Sequence, residues 1–135
     1  MPLSESARFM LGLILITVPT IQFGGYFLLT QMGRGSAIRS ELQRAYFRAG
    51  HAHAGVLVLL ALIAQPLVDS ASLASALQWP VRIGFMLAPI LISAGFFGAA
   101  PREGTQPGRL IVLIYAGAFI LVGSVLALGL GLLFQ

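Results

Sequence analysis

The chain has 135 residues, of which 58% are hydrophobic and only 9% charged, with a formal net charge of +4 and a mean hydropathy of +0.93. A soluble domain of ordinary make-up is about a quarter charged, so this composition excludes a water-soluble fold and makes the bilayer the solvent. The basic excess comes from eight arginines and no lysine. That is too sparse for the dense basic face of a nucleic-acid binder, and the lack of cysteine removes disulfides, thiolate ligation and thiol nucleophiles.

Four apolar runs are long enough to cross a hydrocarbon core, which takes roughly 20 residues each, so the expected fold is all-α: a four-helix transmembrane bundle forming one domain over 1–135. The first span covers about 9–30. Its apolar run is too long for a secretory signal and no small-x-small cleavage pattern follows, so it reads as a retained anchor. The first connection contains the turn Gly33-Arg34-Gly35-Ser36, after which a helix from Ser36 or so runs into the second span, about 46–68, with Ser36 or Ser40 as its cap. Arg48, His51 and His53 lie in its first two turns. The third span, about 83–100, is expected to start just after Trp79-Pro80, an interfacial aromatic next to a helix-start proline. A turn over Pro101–Gly108 leads to the fourth, about 110–134, which carries no charge. Kinks are expected near Pro19 and Pro89, with neighbouring helices satisfying the freed carbonyls.

The arginines set the orientation. Arg34, Arg39, Arg44 and Arg48 lie in or beside the first connection and Arg102 and Arg109 in the third, against Arg8 in the N-terminal tail and Arg82 in the second connection. The positive-inside rule puts the first and third connections in the cytoplasm and both termini outside, in what reads as a bacterial cytoplasmic membrane. Asp69 and Arg82 then sit at the outer interface.

Ionisable side chains inside a span are costly and usually functional, so Arg48, His51 and His53 are the first site candidates. Glu41, Arg44, Arg48, His51 and Gly55 follow a three-four spacing and share a face, whereas His53 points about 200° around the axis from His51, two steps of about 100°. One regular helix does not aim both rings at one ion. Matching depth across the helices puts Tyr26, His51, Phe96, Phe97 and Tyr115 in one layer. On the plainer reading, one imidazole bonds within the bundle and the other reaches the headgroups. On the sharper one, His51 or His53 ligates haem or a metal ion, Arg48 neutralises a haem propionate, and Tyr26 and Tyr115 line the site.

The segment Arg48-Ala-Gly-His51, with a polar residue two further on, resembles the Arg-x-x-His-x-Asn opening of the second helix in the haem-copper oxidase and nitric oxide reductase superfamily. There the histidine ligates haem, and the resemblance implies the same for His51. It covers about ten residues, His53 replaces the asparagine, and the chain has four spans rather than twelve and no copper-site histidines. With no histidine on another helix, only a five-coordinate haem or one shared between two protomers is compatible. In layout the chain also resembles small four-span bacterial membrane proteins with a His-x-His helix start, a likeness that implies no activity.

No phosphate loop, nucleophile elbow or paired carboxylate is present. Gln22 and Gln65 read first as hydrogen-bonding groups between helices and second as steps of a polar track with His51, Tyr115 and Tyr26. Small residues at Ala94 and Gly98 and at Gly123, Ala127 and Gly131 form stripes for close helix approach. Three roles follow: a haem- or metal-binding protein serving a respiratory or redox complex, an accessory protein without its own chemistry, and an oligomeric transporter of a small solute or protons. The expected partners are the bilayer and other membrane chains, either further copies or a larger complex, and no nucleic acid.

Overall fold

The computed structural model describes residues 3–31, 38, 40–102 and 105–134. They form four helices, α1 (Glu5–Gln31), α2 (Glu41–Ser70), α3 (Ser75–Ala99) and α4 (Val112–Leu133), the last entered through a single 3-10 turn at Arg109–Ile111. All four are long and apolar enough to cross a membrane. At about 1.5 Å per residue the 22 residues of α4 already reach the roughly 30 Å of a hydrocarbon core. The turn at 33–36, a cap at Ser36, and Arg34, Arg39, Glu103 and Gly104 lie outside the described residues.

Two expected boundaries shift. The helix into α2 does not start near Ser36: Ile38 and Ser40 are non-helical, and Ser40 sits at φ −70°, ψ 123° with its hydroxyl accepting from the Gln43 amide. The backbone hydrogen bonds of the first turn are thus met by that cap rather than by a longer helix. α3 begins at Ser75, so Trp79-Pro80 lies within its second turn instead of before it. A proline there removes only one helical hydrogen bond, and the connection is held from outside: Ser72 N donates to Gly131 O at 2.7 Å, and Leu73 covers the bare backbone of Gly131. The earlier start carries Arg82 two turns into the helix.

The helices pack in chain order. α3 is central, with broad interfaces to α2 and α4. α1 lies against α2, barely reaches α3, and makes no contact with α4 among the described residues. Glycine lets α3 and α4 close on each other: a methyl on Gly95 would stand 2.8 Å from the Ile114 amide nitrogen, and one on Gly117 2.8 Å from Ile92 Cγ1. Of the expected stripe on α4, Gly131 meets Leu73 and Ala71 of the α2–α3 connection and Ala127 packs against the core, whereas Gly123 faces open space.

Ile14, Val58, Ala61, Ala64, Val68, Val81, Phe85 and Leu128 form the core. It occupies the half of the bundle towards the C-terminal end of α2. The half containing the histidines is looser and is held by rings: Phe47 stacks on Phe97 at 5.5 Å and meets Phe27 edge-on at 5.6 Å, while Tyr46 meets Phe96 at 5.8 Å.

Candidate functional site

The two histidines face different helices. His51 is half-buried and its ring rests on the bare backbone of α1: methyls built on Gly24 and Gly25 would stand 3.4 Å and 3.3 Å from it. His53 is exposed on the α3 side of α2. Its ring lies 5.0 Å from that of Phe96, and its Nδ1 is 2.7 Å from the Ala49 carbonyl oxygen, one turn earlier. A carbonyl can only accept, so Nδ1 is the donor in this bond, and in the neutral ring the lone pair is then on Nε2.

The remaining candidates do not converge on either ring. Tyr26 is 64% exposed on α1 and Tyr115 67% exposed on α4. These helices do not touch, so the expected tyrosine layer is not assembled within one chain. Arg48 is exposed and follows the His51 face, one turn before it. Among the described residues, no three His, Cys, Asp or Glu side chains come together as an ion cage.

Two cavities flank the α1–α2 seam on either side of Ile21 and Val58. One, about 420 Å³, is lined by Val18, Gln22, His51, Gly55, Leu59 and Leu62 among others. The other, about 210 Å³, reaches α3 and is lined by Thr17, Thr20, Ala54, Pro89 and Ser93. The threonine hydroxyls donate to carbonyls of their own helix, Thr17 to Ile14 O and Thr20 to Thr17 O, each at 2.6 Å.

The polar cluster the sequence reading missed lies at the opposite end. Arg82 lies in α3 rather than in the connection before it, and is only 2% exposed. Its Nη1 donates to Gln65 O at 2.7 Å and more weakly to Gln65 Oε1 at 3.4 Å, and its Nη2 pairs with Asp69 Oδ1. Asp69 in turn accepts from Ser4 N at 3.0 Å and from Ser4 Oγ at 2.7 Å, while Ser4 Oγ caps α1 by accepting from Ala7 N at 3.1 Å. One carboxylate therefore ties the starts of α1 and α3 to the end of α2. The fully buried Gln65 side chain reaches across helices only through the long contact with Arg82, and donates its Nε2 to Ala61 O of its own helix at 3.2 Å. The available signal was the 13-residue separation of Asp69 and Arg82 across a short connection, which suits a hairpin clamp once α3 is started early enough. Among the described residues, the Ile14, Val58, Ala61 and Phe85 layer of the apolar core lies between this clamp and the His51 cavity.

No protein-family model matches the chain, and neither a curated protein nor a solved structure matches it.

Proposed function

We propose that this chain is a small integral membrane protein that holds a haem through a single imidazole and serves a membrane redox complex. His53 carries the reading. An imidazole that donates Nδ1–H to a backbone carbonyl and presents a free Nε2 has the tautomer and fixed orientation of an iron ligand, and His53 has both, with its ring steadied by Phe96. A bare metal ion fits poorly, because the described residues offer no three-ligand group. A haem supplies four nitrogens of its own and asks the protein for one or two more. Bound there, it would supply one-electron chemistry at a potential set by its axial ligand and apolar surroundings. Because His53 lies on an outer face of the bundle, the second side of the haem belongs to a second copy of the chain or to a partner in the complex, or stays open. The positive-inside balance supports placement in a bacterial cytoplasmic membrane with both termini outside.

Absorption spectra of protein gently extracted from its native membrane, oxidised and reduced, test this. A Soret band lost in His53→Ala and kept in His51→Ala is expected, and a colourless protein ends the reading.

A second reading, an accessory subunit without its own chemistry, is favoured by α1. Its outward side chains Phe9, Ile16, Phe23 and Leu29 are exposed and only α2 backs it broadly, which suits a helix that packs on a neighbouring protein. Co-purification of an unchanged partner set with a double His51→Ala/His53→Ala variant would select it.

A further inference from the structure

The cavity beside His51 shares Ala52 and Val56 with the smaller space beside His53, but the His53 ring does not line it, and it has a chemistry of its own. Its walls are apolar apart from His51 on α2 and the exposed Gln22 on α1. Neither side chain has a hydrogen-bond partner among the described residues. Where a span faces lipid, an unpaired amide or imidazole is costly, so the pair calls for a polar ligand. The empty space is also shaped by sequence: Gly55, one turn along from His51 on the same face, has nothing within 4 Å of where its Cβ would be. The glycine keeps open the volume that a side chain would fill. Gly24 and Gly25 complete the slot by letting the imidazole lie on the α1 backbone, at 3.3–3.4 Å from their would-be methyls. The groove opens sideways past Val56 and Leu59, both exposed, so a ligand enters from the acyl region rather than from water. At about 420 Å³ it falls within the range of small-molecule sites, about 300–1,000 Å³.

We infer that this groove binds an uncharged bilayer-borne amphiphile of the isoprenoid quinone class, its head between Gln22 and His51 and its tail along Val18, Ile21 and Leu62. The Gln22 amide and the His51 ring N–H are donors carried on two facing helices. They match a flat head with a hydrogen-bond acceptor at each end, which is the outline of a quinone. A phospholipid phosphate is a worse match, since no cation lines the groove. The inference stands apart from the haem reading, which concerns His53, a residue that does not line this groove.

The test is binding of radiolabelled decylubiquinone to the purified full-length chain in phosphatidylcholine nanodiscs. One saturable equivalent is expected. Gly55→Leu fills the slot and weakens binding at least tenfold without lowering the thermal unfolding temperature, because leucine is the better helix former. His51→Leu and Gln22→Leu each remove one hydrogen bond and weaken binding about fivefold. Gln22 is exposed, so its variant retains the fold whatever the others do. His53→Ala binds as the parent does, and would do so even if the chain carried no haem. Non-saturable binding by the parent, parent-like binding by Gly55→Leu or Gln22→Leu, or displacement of decylubiquinone by equimolar phosphatidylglycerol each overturns the inference.

Discussion

Removing either half of the Asp69–Arg82 pair should destabilise the bundle, but by different amounts. Asp69→Leu leaves the guanidinium, 2% exposed, facing only the neutral oxygens of Gln65. Stranding a charge in this way costs about 4 kcal/mol, within the roughly 3–5 found when a buried pair loses one member. Arg82→Met is milder. Asp69 keeps both hydrogen bonds from Ser4, so the cost is about 2 kcal/mol, the scale of one hydrogen bond to a charged group. The double variant buries no charge, and replacing a buried ion pair by apolar groups is often near neutral, so it should cost only about 1 kcal/mol. The coupling is then several kcal/mol, well above the roughly 0.6 typical of hydrogen bonds inside membrane proteins. Reversible unfolding in mixed micelles with rising sodium dodecyl sulfate measures all three. The emission of Trp79, the only tryptophan and three residues from Arg82, reports the local event beside far-ultraviolet dichroism. Additive single changes, or Arg82→Met costing more than Asp69→Leu, would refute the assignment of the pair as a desolvated clamp leaning on Ser4.

Two glycines on neighbouring helices should respond in opposite directions. Gly95→Ala forces a methyl against the Ile114 backbone and should cost about 2 kcal/mol by overpacking. Gly123→Ala points into open space and should be neutral or stabilise by up to about 1 kcal/mol; the same titration separates them. The chain has no cysteine, so single-cysteine labelling tests its orientation cleanly: Ser72→Cys should react with an impermeant maleimide on intact cells, and Thr105→Cys only after permeabilisation. The reverse pattern would invert the topology.

The spans were legible because composition and run length decide them, and the divergence of His51 and His53 followed from the angular step of a helix alone. Neighbour relations were not legible. A stretch of sequence determines that a helix forms and which of its faces is apolar, but four apolar helices in lipid have many faces alike, so the expected layer of Tyr26, His51, Phe96, Phe97 and Tyr115 had no local signal of which helices adjoin. Arg82 was misplaced for a different reason. Trp79-Pro80 is a sound boundary signal in isolation, yet here the contacts of Ser72 and Leu73 with Gly131, nearly sixty residues later, start the helix before it. Gly24-Gly25 read as a packing pair, and only the fold shows that what packs there is an imidazole ring.

The attachment of α1 has a consequence for how the molecule is made. This helix is made before α2, yet the carboxylate that fixes its N-terminal end is 65 residues further on, and among the other helices only α2 backs it broadly. It must therefore wait in the bilayer without these contacts until α2 has been made. That delay favours a segment able to survive alone in lipid and to dock late, and the run from Phe9 to Thr30, without a single charge, is such a segment.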